Sequence, residues 1–325
     1  MKVLVTGATG MVGAELTRQL LAEGVDVRIL RRQSSDVSLL GEAASAVEHV
    51  IGDVTDAASL TEATRGVAHI YHCAAFVGMG PGVSRAALDD VNVGGTANVV
   101  NAALRNGVSR LVHTSSMAAF GRPESSSDFI DENTTWYTSK NNTAYARSKY
   151  HAELEVLRGV AEGLEAVMVN PALVFGRARP GENTREIAEK IKAEKLPGIP
   201  RGGTAVVDAR DVATGLRLAM LNGRTGERYF LGAENLSWAS IITTLAGAIG
   251  VAPPARHVNP SLAMAIAVAS EAVALVTRSH PLVSRETVRI ANRTYRYSNR
   301  KATRELGWNH RSFAETAAYV AGSLT

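Results

Sequence analysis

The stretch Lys2-Val3-Leu4-Val5-Thr6-Gly7-Ala8-Thr9-Gly10-Met11-Val12-Gly13 decides the fold. Lys2 to Thr6 is almost continuously apolar or β-branched, as in a strand covered on both faces. Three glycines at three-residue spacing follow, and from Met11 onward apolar residues recur every three or four positions, the period of a helix facing a core. Gly7 and Gly10 permit a tight turn whose backbone can approach a pyrophosphate, while Gly13 lets helix and strand pack closely. The helix N-terminus adds free N–H groups and the positive end of its dipole. Strand, glycine loop and helix in this order predict a dinucleotide site formed by Thr6, Gly7, Thr9, Gly10, Met11, Val12 and Gly13.

Working outward, short apolar runs alternate with longer periodic ones. Strands are expected at Lys2 to Thr6, Asp26 to Leu30, Glu48 to Ile51, Ala68 to Cys73, Arg110 to Thr114 and Ala166 to Asn170, and helices at about 11–23, 86–106 and 143–162. This alternation predicts an α/β fold, a doubly wound parallel sheet of the Rossmann kind. Beyond Pro171 the pattern weakens into Gly/Pro/Arg-rich loops and a charged helix. We expect the nucleotide-binding domain to span 1–172 plus about 205–232, and a smaller substrate lobe to take about 173–204 and 233–325.

The 325 residues carry 46% hydrophobic side chains, enough for a substantial core, and a formal charge of only +4 with no block of Lys or Arg, which argues against nucleic acid as a partner. A single cysteine, Cys73, excludes an intrachain disulfide framework and fits a reducing compartment. No signal-peptide pattern precedes the first strand, so a cytoplasmic setting is expected. The apolar run from Leu262 to Val276, interrupted by Ser270 and Glu271, falls short of the roughly 20 residues needed to span a bilayer. Metal chemistry finds no motif: His69 and His72 sit on a strand, and there is neither a His-Glu-x-x-His helix nor a Gly-x-Ser-x-Gly elbow.

The end of the second strand selects the cofactor. An acid there would bind the ribose 2′-hydroxyl of NAD, whereas this chain has Arg31-Arg32-Gln33-Ser34-Ser35, two guanidiniums and two hydroxyls suited to a 2′-phosphate. NADP is therefore expected, with NAD as the alternative. Asp53, with Val54 beside it, ends the third strand where the adenine would lie, although aspartate is also ordinary turn chemistry.

Tyr145 and Lys149 stand one helical turn apart on one face. A phenol is a poor proton carrier at neutral pH, and a neighbouring ammonium is expected to make it more acidic. Ser115 and Ser116 follow the strand Arg110 to Thr114 at the carboxyl edge of the sheet, where a hydroxyl can stabilise charge developing on a carbonyl oxygen.

Together, Thr6 to Gly13, Ser116-Met117-Ala118-Ala119-Phe120-Gly121, Asn92-Val93-Gly94-Gly95-Thr96, the Tyr145/Lys149 pair, Asn170 to Gly176 and Val207 to Ala213 make the chain resemble an extended short-chain dehydrogenase/reductase, nearest in look to dihydroflavonol reductase-like and 3β-hydroxysteroid dehydrogenase-like members. The resemblance implies Tyr145 as the proton donor or acceptor, Lys149 holding the nicotinamide ribose, and Ser116 polarising the substrate oxygen, with Ser115 as its alternative. It places Ala74, Ala75 and Pro171 along the cofactor and gives Asn92 either a structural or a catalytic part. A homodimer acting on a small molecule is expected by the same likeness.

Among the family's activities, elimination is disfavoured because Met117-Ala118 stands where dehydratases of this kind carry Asp-Glu. A sugar nucleotide is disfavoured because Leu173 and Thr204 replace the Asn and Arg usual in epimerases. The reading that remains is reduction of a lipophilic or aromatic ketone or aldehyde. Nucleotide-sugar epimerisation and a non-catalytic NADP-binding regulator are the competing readings. The helix around 262–276 would roof the pocket, pack an interface or rest on a membrane surface.

Overall fold

The computed structural model describes every residue except 78–83, 123–128, 140, 278–283 and 325. Strand β1 (Lys2–Thr6) leads into α1 (Met11–Ala22), β2 (Asp26–Arg31), β3 (Glu48–Ile51), α2 (Ala57–Ala63) and β4 (His69–His72). After α3 (Arg85–Leu88) and α4 (Gly95–Arg105) come β5 (Arg110–Thr114), α5 (Ala144–Ala161) and β6 (Ala166–Pro171). The second half holds β7 (Leu173–Phe175), α6 (Asn183–Lys192), β8 (Gly203–Asp208), α7 (Ala209–Asn222), β9 (Arg228–Leu231) and β10 (Glu234–Ser237). It ends with α8 (Trp238–Ile249), α9 (Pro260–Thr277), α10 (Arg285–Ala291) and α11 (Phe313–Ala321).

Seven strands pair in parallel in the order β3-β2-β1-β4-β5-β6-β9. Because side chains alternate across a strand, Val3 and Val5 face α1 and α7 with Leu16, Leu20 and Leu216, while Leu4 faces the opposite layer with Val99, Val100 and Val156. Each such buried side chain contributes about 1.5–3 kcal/mol. Strand order reverses between β1 and β4, which opens a crevice at their carboxyl ends, the place where open α/β sheets bind ligands.

The second sheet, β10-β8-β7, pairs β8 antiparallel with β10 and parallel with β7. It packs with α6, α8 and α11 around Phe175, Ile191, Val206, Ile241, Leu245 and Phe313. Thus β8, which straddles the start of the 205–232 segment, lies in the small sheet, and β9 completes the large one. On α9, Leu262, Ile266 and Val273 are exposed while Ala267 and Ala274 are buried. Among the described residues no helix is long and apolar enough to cross a membrane.

One expected helix differs in kind. The 86–106 run is broken by a wider π turn over Asp89–Gly94. Gly95 lies so close to Val54 that a Cβ would sit 2.8 Å from its Cγ2, so the helix re-forms from a residue without a side chain.

The loop glycines predict a contrast in stability. A Cβ on Gly13 would lie 2.2 Å from the Gly7 carbonyl oxygen, whereas one on Gly247 in α8 would meet nothing within 4 Å. Gly13→Ala should destabilise by about 1–3 kcal/mol or more, and Gly247→Ala should stabilise by about 0.5–1 kcal/mol, read as opposite shifts of the urea midpoint.

Candidate active site

Gly7 has φ +69°, and a Cβ on it would stand 2.5 Å from the backbone nitrogen of Ala74, so the loop after β1 lies directly on the segment after β4. Gly10 caps α1 without a side-chain hydrogen bond, leaving first-turn N–H groups for an anion. A cradle that only glycine fits, closed by a bare helix N-terminus, suits a dinucleotide pyrophosphate.

The other nucleotide-site residues fall into distinct roles. The Thr6 side chain turns into the core, bonded to His72 Nδ1 at 2.7 Å, so only its backbone faces the loop. Met11 packs on Ala178 and Ala209, and Val12 is half-buried. The Thr9 carbonyl accepts at 2.7 Å from Arg179, whose Nη1 also reaches the Asp36 carbonyl at 3.3 Å. Arg31 Nε donates to His49 Nδ1 at 2.8 Å, while Arg32 is exposed and its backbone N–H donates to Ser35 Oγ at 3.1 Å. Asp53 Oδ1 accepts from the N–H and hydroxyl of Thr55, which is turn chemistry, and Val54 is buried against Gly95. Ala74 and Ala75 are half-buried beside the crevice, and Pro171 ends β6 in the interior.

Ser116 emerges at the end of β5 as the cap of a short turn, Met117–Phe120, its Oγ accepting from Ala118 N at 3.2 Å. Helix α5 begins at Thr143, whose hydroxyl caps Ala146 N, and so carries Tyr145 in its first turn. The Ser116 side chain acts on the Tyr145 phenol, lowering its pKa, and both residues are half-buried. Ser115 is different: it is buried and donates to Glu153 Oε1 at 2.5 Å, away from Tyr145. The geometry thus brings Ser116, not Ser115, to the phenol.

Lys149 departs from the expectation. Its Nζ donates to the Thr114 carbonyl at 2.8 Å, and burial pushes its pKa down to about 8, opposed by the charges of Glu153 and Cys73. Burial also raises the Tyr145 pKa, a change only partly offset by the Ser116 hydrogen bond. Loss of water thus dominates at the phenol, and the ammonium, engaged with the Thr114 carbonyl, is not among the groups that lower its pKa.

Three residues outside the predicted set complete the site. Glu153, buried on α5, accepts from Ser115 and at 2.6 Å from Asn170 Nδ2, which also donates to the Ser116 carbonyl at 3.0 Å. Arg228 Nη1 lies 3.5 Å from Glu153. Glu153 continues the four-residue spacing of Tyr145 and Lys149, which is the one signal that could have found it; Asn170 opens a stretch that carries the family resemblance, and Arg228, on β9, leaves no signal. Asn92 is structural: its buried amide accepts from Phe76 N at 2.7 Å and donates to the Phe76 carbonyl and to Ser148 Oγ. His72 and His113 are likewise core histidines; burial pushes His72 down to about 3 and His113 well below its usual value.

A glycine-lined crevice at a sheet switch point, with a hydroxyl and a phenol meeting beside a buried lysine, defines a nucleotide-dependent oxidoreductase. The chain belongs to the NAD dependent epimerase/dehydratase family, whose sequence model matches residues 3–232, and it is an NAD(P)-dependent oxidoreductase of the extended short-chain dehydrogenase/reductase type. It is 38% identical over 271 residues to "Sterol demethylase protein B" of Methylococcus capsulatus, covering 82% of this chain and 80% of that one. It is 34% identical over 225 residues to cinnamoyl-CoA reductase 1 of Oryza sativa subsp. japonica, covering 65% of each. The crystal structure of gox2253 superposes with a TM-score of 0.85 at 32% identity, over 99% of this chain and 97% of that one.

The depressed Lys149 pKa yields a signed pH prediction. Between about pH 8 and its ordinary 10.5 the unfolded chain holds a proton here that the folded chain has lost, so this residue's contribution to stability rises with pH across that window. The stability of Lys149→Met relative to the parent should therefore fall from pH 8 to pH 10.5, by up to about 1.4 kcal/mol per pH unit, in urea titrations of cofactor-free protein. A flat difference would show that the lysine titrates normally.

Proposed function

We propose that this protein is an NADPH-dependent carbonyl reductase acting on a ketone or aldehyde with an apolar body. The observation that carries this reading is the placement of the Ser116 hydroxyl and the Tyr145 phenol together at the carboxyl edge of β5, beside Lys149. In this role Ser116 donates a hydrogen bond to the substrate oxygen, and Tyr145 delivers the proton as charge builds there. A phenol whose pKa is raised stays protonated at neutral pH, which is the form a proton donor requires. Lys149 would bind the nicotinamide ribose through its ammonium. When bound, NADPH would supply the hydride.

The surroundings of Ser116 support reduction over the alternatives. Met117 follows it where elimination would call for an acid, and Thr204 Oγ1 lies 4.0 Å from Met117 Sδ, so this wall is thioether and hydroxyl with no charge. A protein that only senses a nucleotide has no need of Ser116, Tyr145 and Lys149 together. NADPH is assigned to Arg31, Arg32, Ser34 and Ser35, with Arg179 closing over the neighbouring Asp36 carbonyl.

Two measurements test the reading. With a panel of aromatic, steroid-like and aliphatic carbonyls, Tyr145→Phe should lower kcat by about 10²–10⁴-fold while NADPH affinity is retained; full activity in that variant would remove Tyr145 from catalysis. Changing Arg31 and Arg32 together to Asp should weaken NADPH binding by about 10–100-fold and spare NADH, read by fluorescence titration. An equal loss for both nucleotides would place the 2′-phosphate elsewhere.

A further inference from the structure

Arg122 follows the Ser116-capped turn by two residues and is only 5% exposed. Its Nη1 donates to the Asn141 carbonyl at 2.9 Å, its own carbonyl accepts from Tyr137 Oη at 2.6 Å, and its guanidinium carbon lies 5.6 Å from the ring centre of Tyr295. The Tyr297 hydroxyl is also within its hydrogen-bonding reach. Among the described residues it forms no ion pair. The carboxylate that feels its charge, Glu286 on α10, is exposed and feels Arg85 and Arg289 as well.

Four buried polar atoms around it have no hydrogen-bond partner: Arg122 Nε, Asn141 Nδ2, Asn141 Oδ1 and Tyr295 Oη. Asn141 is 3% exposed and Tyr295 8%. Folded proteins seldom leave one such atom unmet. Here three side chains from separate parts of the chain concentrate unmet polar atoms in one place, donors on all three and one acceptor, Asn141 Oδ1.

That place adjoins the reacting centre. Arg122 comes from the turn that presents Ser116, and Asn141 lies four residues before Tyr145 on the segment leading into α5. Tyr295 comes from the other side, its N–H donating at 3.2 Å to the carbonyl of Gly203, the neighbour of Thr204 that faces Met117. An N–H of a guanidinium, an amide NH₂ and a phenol O–H together offer donors to both oxygens of a carboxylate, and the guanidinium's charge favours an anion over a neutral acceptor.

We propose that Arg122, Asn141 and Tyr295 form a subsite for a carboxylate carried by the substrate, so that the carbonyl compound reduced is an oxo acid rather than a neutral ketone. This rests on the carbonyl-reductase reading and narrows its substrate class. An apolar body against Met117 and an acidic end at Arg122 would fix which carbonyl reaches Ser116 and Tyr145.

The test compares straight-chain 3-oxo and 4-oxo acids with their methyl esters as paired substrates of the full chain with NADPH. The parent should prefer the acids, and the acid-to-ester ratio of kcat/KM should fall by about 10–100-fold in Arg122→Met, by less in Arg122→Lys, and severalfold in Tyr295→Phe, which loses a single hydroxyl and keeps the ring. Calorimetric binding of the same pairs to the Tyr145→Phe protein loaded with NADP reads the preference without turnover. An unchanged ratio in all three variants, or a parent that does not discriminate acid from ester in binding, overturns the subsite. If acids bind preferentially and neither acid nor ester is reduced, the subsite stands and the carbonyl-reductase reading falls. If both are reduced without discrimination, the reverse holds.

Discussion

The close approach of two backbone segments at the switch between β1 and β4 is the constraint on which the rest depends. Gly7 adopts a left-handed conformation directly against Ala74, and Gly13 rests on the Gly7 carbonyl. A side chain at Gly7 would push the loop off the segment after β4, and one at Gly13 would push α1 off that loop. The parallel sheet in turn brings β5 beside β4, so that Ser116 emerges on the same edge as the glycine loop.

Below that edge the site rests on a buried polar base. Glu153 joins the end of β5 through Ser115 to the end of β6 through Asn170, and Asn170 reaches up to the carbonyl of Ser116. Its charge also opposes the loss of the Lys149 proton that burial favours. A carboxylate this deep is held by its hydrogen bonds and by Arg228, and burial still raises its pKa. The arrangement fixes the two hydroxyl-bearing serines in opposite directions, one into the base and one toward the phenol.

Local signals made the nucleotide half of the molecule legible in the sequence. The six strands expected from apolar runs all form, with ends shifted by a residue at most: Arg31 extends β2, Pro171 extends β6, and Ala68 and Cys73 fall outside β4. Most of those runs, β1, β4, β5 and β6 above all, are largely buried, which leaves a continuous pattern to read; the edge strand β3 is not. Of the strands that went unread, β7 has three residues and β10 has two exposed positions, too short for any period to emerge, while β8 and β9 are largely buried and went unread all the same. The π turn at Asp89–Gly94 carries no local mark in the sequence, and the close approach of Gly95 to Val54 just after it is a tertiary contact. At the site, the i, i+4 pair announced Tyr145 and Lys149, but the protonation balance between them did not follow from spacing. It depends on how much water each group loses, and only packing decides that.

The small sheet takes β7, β8 and β10 from stretches separated by α6 and by the α7–β9 return to the large sheet. No single cut in the polypeptide can release the lobe whole, and no contiguous cassette carries it from one gene to another. Divergence of specificity on such a framework must proceed by point replacement along its inner wall, because shuffling a block would unravel both sheets at once.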